Sequence, residues 1–97
     1  MPHLNFSIAA QRDLERTRKF LSEKNPSAAK RASQAIKAHT KALASAPEIG
    51  RPHPTLADIR ELIIPFGDGG YIARYRYYPE QDAVYILRIW HQREAER

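Results

Sequence analysis

The fold of this chain is decided by two runs, Tyr71-Ile72-Ala73-Arg74-Tyr75-Arg76-Tyr77-Tyr78 and Val84-Tyr85-Ile86-Leu87-Arg88-Ile89-Trp90, which a short turn separates. Both runs are rich in aromatic and β-branched residues, which favour strands. Because successive strand residues point to opposite sides of a sheet, each run has two faces. The face expected to be core comprises Tyr71, Ala73, Tyr75, Tyr77, Leu87 and Ile89. The opposite face interleaves arginines with apolar groups and comprises Ile72, Arg74, Arg76, Tyr78, Ile86, Arg88 and Trp90.

The first half of the chain predicts a helical hairpin. Ser7 suits the N-cap of a first helix that is expected to end near Lys24, and Asn25 with Pro26 is typical of a second helix start. The second helix is predicted from about residue 26 to residue 45. Each helix has a regularly spaced face, formed by Ala10, Leu14, Thr17 and Leu21 in the first and by Ala29, Ala32, Ile36 and Leu43 in the second. The small residues allow close approach, so the two helices are expected to be antiparallel.

The remaining segments complete an α+β domain. A short N-terminal strand is expected at Leu4–Phe6, and a longer one at Ile59–Ile64 that Pro65 ends. Turns at residues 66–70 and 79–82 are short, which implies antiparallel neighbours. The predicted architecture is therefore an N-terminal strand and an antiparallel two-helix hairpin packed on an antiparallel sheet. Its element order is β-α-α-β-β-β, in one domain that spans residues 1–97.

Composition limits the chemistry. A formal net charge of +5 and a pI near 9.8 favour acidic partners, namely nucleic acid, a nucleic-acid-bound enzyme or an acidic protein segment, although many basic domains are merely soluble. The chain has no cysteine, and its four histidines are far apart without ligand spacing, so neither a metal nor another cofactor is expected. No apolar run has the length of a signal peptide or a membrane span, so a cytoplasmic protein without a membrane partner is expected.

The arginine-bearing face is the candidate functional surface. Arg74, Arg76, Arg88 and Trp90 lie on it by alternation, and Arg60 is a possible addition from the preceding strand. A guanidinium binds phosphate or carboxylate, and an aromatic ring offers a stacking surface. Such a face suits either RNA cleavage or the binding of an acidic or amphipathic peptide. His91 could supply acid–base chemistry, but alternation places it on the core side, which favours a structural role.

Four segments, in this order, resemble the RelE/ParE toxin superfamily over nearly the whole chain. They are Pro47-Glu48-Ile49-Gly50-Arg51-Pro52, Arg60-Glu61-Leu62, Tyr75-Arg76-Tyr77 and Ile86-Leu87-Arg88-Ile89-Trp90-His91-Gln92-Arg93. The first and last of these resemble the ParE branch in particular. The resemblance implies the toxin of a type II toxin–antitoxin module, which a cognate antitoxin wraps and inactivates. ParE toxins are associated with poisoning DNA gyrase, whereas RelE toxins cut mRNA in the ribosomal A site.

The chain departs from the basic catalytic pattern of the RelE nucleases. Positions where those enzymes carry arginine or lysine are occupied by Glu61, Ile63, Ile64, Ile72 and Gln92. The leading hypothesis is therefore a gyrase poison that is not an enzyme. The alternatives are a ribosome-dependent mRNA endoribonuclease using His91, Arg93 and Arg74, with Arg76 and Arg88 as further cations, or a decayed toxin that only binds antitoxin. We expect target or antitoxin contacts from Arg60, Ile72, Arg74, Arg76, Ile86, Arg88, Trp90 and Arg93.

These assignments give a first mutational expectation. Reversing the charges of Arg74 and Arg76 together is expected to abolish toxicity and to leave the fold intact, because both side chains are placed on the exposed face.

Overall fold

A computed structural model describes residues 1–94, in which two helices pack on one face of a five-stranded sheet. The helices are α1 (Ile8–Lys24) and α2 (Pro26–Lys41). The strands are β1 (His3–Phe6), β2 (Arg51–Pro52), β3 (Ile59–Phe66), β4 (Gly69–Tyr78) and β5 (Ala83–His91). The predicted α+β class and helical hairpin are confirmed. Within the described residues, neither helix is long and apolar enough to cross a bilayer.

The sheet is mixed, whereas the sequence predicted an antiparallel one. The strand order is β1-β5-β4-β3-β2, and the β3–β4 and β4–β5 pairs are antiparallel as expected. The N-terminal strand β1 pairs parallel to β5, with Leu4 opposite Val84. The two-residue strand β2 was not predicted, because its residues lie in a proline-rich loop.

The helix boundaries follow the predicted capping residues. The Ser7 hydroxyl accepts a hydrogen bond from the Ala10 N–H at 3.0 Å, and the Asn25 side chain accepts one from the Ala28 N–H at 3.1 Å. Helix α1 ends at Lys24 as expected, and α2 passes at its C-terminal end into a 3-10 turn at Ala42–Ala44. The predicted helix faces line the core, where Ala10, Ala32, Ile36 and Leu43 are at most 3% exposed.

A β-bulge in β5 overturns part of the predicted sheet alternation. Arg74 pairs with Arg88, but the next residue, Tyr75, pairs with Ile86, so Leu87 is left without a partner. In the part of β5 before the bulge, the extra residue makes each side chain point to the face of the sheet opposite to the one that alternation predicted. Ile86 is therefore fully buried in the core, where the sequence predicted an exposed contact residue, and Leu87 is only partly buried. Tyr71, Ala73, Tyr75 and Ile89 are buried as predicted.

Strand β3 continues through Pro65, which was expected to end it. Pro65 pairs with Gly70, and the strand ends at Phe66. The short strand β2 pairs only with Arg60 and Glu61 of β3. The part of β3 that contains Pro65 therefore has no neighbouring strand on that side and lies at the edge of the sheet. Proline is tolerated at an edge because its missing N–H leaves no neighbouring strand unpaired.

The Pro47–Pro52 segment is anchored to the sheet by Gly50. The Gly50 N–H donates to the Tyr75 hydroxyl at 2.8 Å, and the Arg60 guanidinium donates to the carbonyls of Glu48 and Gly50 at 3.1 and 2.8 Å. Burial raises the pKa of Tyr75, which therefore stays neutral as a hydrogen-bonding phenol. The glycine and arginine of this segment thus have structural partners, and Arg60 lies on the helix side of the sheet.

Replacing Gly50 by alanine is expected to lower the free energy of unfolding by about 2 kcal/mol. A Cβ at this position would lie 2.6 Å from both Cε1 and Oη of Tyr75, which is fully buried and has little room to move. Gly69→Ala is the matched control, because its Cβ would meet nothing closer than 3.6 Å. Urea unfolding of the two variants measures the difference. Equal midpoints would contradict the anchoring role of Gly50.

Candidate functional site

The outer face of the sheet, which points away from the helices, carries two adjacent rows of side chains. The first row is apolar and runs across three strands through Ile63, Ile72 and Trp90. The second row is charged and contains Glu61, Arg74 and Arg88. Arg76 follows Arg74 on the same face of β4. The predicted placement of Ile72, Arg74, Arg76, Arg88 and Trp90 on one face is therefore confirmed.

Arg74 is held between a carboxylate and an aromatic ring. Its Nη2 lies 3.4 Å from Glu61 Oε2, and its guanidinium lies 5.0 Å from the centre of the Trp90 ring. A second arginine, Arg51, approaches the other oxygen of Glu61 at 3.4 Å. Glu61 is 8% exposed and Trp90 is 3% exposed, so this network is largely shielded from water. The charge of Arg74 is balanced within the fold, and its side chain shields the tryptophan ring.

Arg88 is paired with a buried carboxylate that the sequence analysis did not identify. The Arg88 Nε and Nη2 atoms donate to Asp13 at 2.8 and 3.1 Å. The Ile89 N–H also donates to Asp13, at 2.9 Å, and Arg16 donates to Asp13 and to the Ile89 carbonyl, each at 3.3 Å. Residues of α1 thus bind the backbone N–H and carbonyl groups of β5 at the edge that β1 does not cover. Arg88 is therefore a structural residue as well as a surface cation.

Asp13 is ionised by its hydrogen bonds in spite of its burial. Burial raises the pKa of this carboxyl, but the combined bonds from Arg88, the Ile89 N–H and Arg16 outweigh that effect and lower its pKa below 3.8. The hydrogen bond between Arg88 and Asp13 also raises the pKa of the Arg88 guanidinium. The pair is consequently charged throughout the physiological pH range.

Arg76 is the more accessible arginine of the outer face. Its side chain is 40% exposed, compared with 12% for Arg74. The guanidinium lies 4.7 Å from the Tyr78 ring, and its Nη2 is 3.7 Å from the exposed Asp58 carboxylate. Tyr78 in turn makes an edge-to-face contact with Tyr85 at 5.5 Å. An exposed ion pair of this length costs little to break, so Arg76 is free to exchange Asp58 for a partner.

Besides Arg93, which is described below, two predicted contact residues do not lie on the outer face. Arg60 pairs with Tyr75 in register and shares its side of the sheet, which is the helix side. Ile86 is in the core because of the bulge at Leu87. Neither side chain is placed to contact a partner that docks on the outer face.

His91 and Arg93 belong to a different surface, a cleft of about 640 Å³ between the second half of α1 and the ends of β3, β4 and β5. The His91 ring makes an edge-to-face contact with Tyr71 at 5.2 Å, which confirms its predicted place on the helix side. Its Nδ1 accepts a hydrogen bond from the Arg93 N–H at 3.1 Å. The cleft is lined by Arg16, Thr17, Phe20, Leu21, Lys24, Phe66, Tyr71, His91, Arg93 and Glu94.

The alternative nuclease set is consequently divided between two surfaces. Arg74 and Arg76 lie on the outer face, whereas His91 and Arg93 line the cleft on the helix side. Arg88 starts from the outer face by register, but its guanidinium is bound to Asp13 of α1. General acid–base catalysis requires the proton-transferring group and the cations to meet at one phosphate. The structure does not bring these five residues together. Among residues 1–94, no three histidine, aspartate or glutamate side chains are grouped so as to hold a metal ion.

Sequence comparisons agree with this fold. The family described as "ParE toxin of type II toxin-antitoxin system, parDE" matches residues 4–96. Toxin RelE3 of Caulobacter vibrioides is 42% identical over 94 residues, which cover 97% of this chain and 98% of that protein. Toxin RelE1 of the same organism is 40% identical, with 88% of this chain and 87% of that protein covered. This chain therefore belongs to the ParE toxin family, within the RelE/ParE superfamily of type II toxin–antitoxin toxins.

Solved structures with low sequence identity share the fold. A structure of the chromosomal ParDE system from Pseudomonas aeruginosa gives a TM-score of 0.77 at 24% identity and covers 94% of this chain and 96% of that one. The intact Escherichia coli RelBE toxin–antitoxin complex gives a TM-score of 0.67 at 16% identity, with both chains covered completely. The fold is thus common to ParE and RelE toxins and does not by itself distinguish between their targets.

Proposed function

We propose that this toxin inhibits DNA gyrase by binding and does not cleave RNA. The observation that supports this proposal is the combination, on the outer face, of an apolar centre with arginines that are already paired. Its centre is apolar, with Ile63 and Ile72 at least partly exposed and Trp90, which is 3% exposed, buried beneath Arg74. In the neighbouring row Arg74 and Arg88 are each paired with a carboxylate. A cleavage site requires cations directed at the phosphate as charge develops there, and losing one such contact costs on the order of 100-fold in rate. An apolar surface bordered by charge instead suits a protein partner.

We further propose that a cognate antitoxin neutralises the toxin. The Escherichia coli neighbour is a toxin bound to its antitoxin, and this chain shares its fold. The proposed contacts for target or antitoxin are Ile72, Arg74, Arg76 and Arg88, with Arg93 at the cleft. Trp90 was also expected to be a contact, but it is 3% exposed beneath Arg74 and supports this face from below. Arg76 is the principal polar contact, because its exposed guanidinium can exchange partners without unfolding. Such a toxin would act in the cytoplasm, where gyrase is found.

Cleavage of mRNA is the competing function. The two Caulobacter relatives are named RelE toxins, and the cleft places His91 beside Arg93, a pair able to move a proton and bind a phosphate. We rank mRNA cleavage second because Arg74 and Arg76 lie on the other face of the sheet and Arg88 is bound to Asp13. It predicts that translation stops before replication does.

Induction of the toxin in cells distinguishes the two functions. We expect thymidine incorporation to fall within minutes while leucine incorporation continues, because a gyrase poison stalls replication directly. Arg76→Glu is expected to reduce the growth arrest at least about tenfold, through loss of one interfacial charge contact. Lys30→Glu is the matched control on the exposed side of α2. Leucine incorporation falling first, or equal loss of toxicity in both variants, would contradict the proposal.

A further inference from the structure

One end of the outer face is built around the accessible guanidinium of Arg76. This residue faces Ile59 across β3 and Tyr85 across β5, so the three side chains share the outer face. The guanidinium lies 4.7 Å from the centre of the Tyr78 ring, and Tyr78 contacts Tyr85 edge to face. The attraction between a cation and an aromatic ring uses none of the N–H groups. The Tyr78 ring therefore positions the guanidinium and leaves its donors for another group.

The group that meets Arg76 in the isolated toxin is a carboxylate of its own chain. Asp58 Oδ2 lies 3.7 Å from Arg76 Nη2. The loop that carries Asp58 is closed by a hydrogen bond of 2.8 Å from the His53 N–H to the Ile59 carbonyl. Two backbone N–H groups inside the loop also donate to the Nδ1 atom of His53, at 3.1 and 3.0 Å. These bonds hold the Asp58 carboxylate beside the guanidinium.

The pair between Asp58 and Arg76 is close but weak. The Asp58 side chain is 71% exposed and that of Arg76 is 40% exposed, and 3.7 Å is too long for a hydrogen bond. An exposed ion pair of this kind contributes little, because water surrounds both charges. The loop, more than the pair itself, keeps Asp58 in place, so a carboxylate with better geometry can displace it.

We propose that Asp58 stands, in the isolated toxin, where a carboxylate side chain of the target protein binds in the complex. The aspartate or glutamate of the target displaces Asp58 and pairs with Arg76 above the Tyr78 ring. Asp58 thus competes with the target from within the chain and sets which group Arg76 accepts. This inference rests on the proposed function, because it names the chemical group on the target that Arg76 binds.

The local charge favours a carboxylate over the phosphates of a nucleic acid. Arg51 and Arg74 share Glu61, and Arg76 faces Asp58. These three arginines and two carboxylates leave one net positive charge on this part of the outer face. One positive charge suits a single carboxylate. Nucleic acid is instead bound by several cations along successive phosphates, and the two acidic side chains would repel it.

A double-mutant cycle of Asp58→Asn and Arg76→Gln tests the inference, by surface plasmon resonance of the full chain on immobilised gyrase with and without DNA. Asparagine tolerates the left-handed backbone of Asp58, whose φ is 63°, so the substitution removes the charge without straining the loop. We expect Asp58→Asn to lower the dissociation constant about threefold, and Arg76→Gln to raise it at least about tenfold. In the Arg76→Gln background, Asp58→Asn is expected to have no effect, because Asp58 acts through the guanidinium.

Asp68→Asn is the matched control, because it removes the same charge from the exposed β3–β4 turn. A gain that is equal in Asp58→Asn and Asp68→Asn, or that persists without Arg76, would reduce the effect to net charge and overturn the inference. Binding to gyrase only when DNA is present would assign Arg76 to a phosphate and would also overturn it.

The proposed function fails separately, if wild-type toxin binds gyrase neither with nor without DNA. Growth arrest then decides the role of Asp58, since the inducer concentration that halves growth is measured without knowledge of the target. A lower concentration for Asp58→Asn than for Asp68→Asn, with no such difference in the Arg76→Gln background, supports the competition. Equal concentrations for the two variants overturn it.

Discussion

Replacing Arg74 by glutamate is expected to lower the free energy of unfolding by about 4 kcal/mol, a large part of the total stability of a small domain. The substitution removes the more buried of the two arginines that pair with the Glu61 carboxylate and places a second negative charge beside it. It also uncovers the Trp90 ring, which Arg74 shields at 5.0 Å. Since Trp90 is the single tryptophan, its fluorescence during urea unfolding reports this site directly.

The matched control is Arg76→Glu, which changes the same charge on the same face of the same strand. Arg76 is 40% exposed and its partner Asp58 is more so, so we expect a loss of no more than about 1 kcal/mol. If both variants unfolded at the same urea concentration, the structural role of the Glu61–Arg74–Trp90 network would be wrong.

This difference corrects the first mutational expectation from the sequence. Reversing the charges of Arg74 and Arg76 together was expected to abolish toxicity while leaving the fold intact. Because Arg74 belongs to a shielded network, a loss of toxicity in the double variant would report unfolding as well as lost contacts. Arg76→Glu alone is the informative substitution.

Replacing Asp13 by alanine is the second change with a large expected effect. It leaves Arg88 without its carboxylate partner and the Ile89 N–H without an acceptor, at a side chain that is only 4% exposed. We expect a loss of about 3 kcal/mol and a melting temperature lower by about 15 °C. Asp68→Ala, in the exposed β3–β4 turn, is the control that changes the same charge without a measurable loss.

The effect of Asp13 also depends on pH, with a sign fixed by its lowered pKa. A carboxyl whose pKa is lower in the folded state contributes stability that is complete above its unfolded pKa, near 3.8, and is lost as the pH falls through the folded value. The difference between the wild type and Asp13→Ala is therefore expected to be constant near neutral pH and to shrink below about pH 4. Urea unfolding at a series of pH values measures it. A difference that grew in acid would contradict the account.

The main elements of the fold follow from local sequence rules. The caps at Ser7 and Asn25 and the alternation along β4 predicted the helix bounds and one core face, since these depend on neighbours in the chain. The bulge at Leu87 depends instead on how β5 pairs with β4, and no residue type in β5 indicates where it occurs. One extra residue was enough to exchange the faces assigned to Ile86 and Leu87.

The sequence predicted which residues form the candidate site better than it predicted what each of them does there. Alternation correctly grouped Arg74, Arg76 and Arg88, but it could not show which of them were already paired. Asp13 reads in sequence as one more polar residue of α1, and its burial is set by the edge of β5, which lies 76 residues further along the chain. Long-range pairing of this kind decides whether an arginine is available to a partner, and the sequence alone does not contain it.

The most direct test of the central claim combines purified, antitoxin-free toxin with gyrase, ATP and relaxed plasmid in one reaction, and with translating ribosomes and a defined mRNA in another. We predict that supercoiling is lost and cleaved DNA accumulates in the first reaction, while primer extension finds the mRNA intact in the second. Arg76→Glu is expected to abolish the first effect without unfolding. Cuts in the ribosomal A site, with gyrase unaffected, would contradict the account and turn attention to His91 and Arg93.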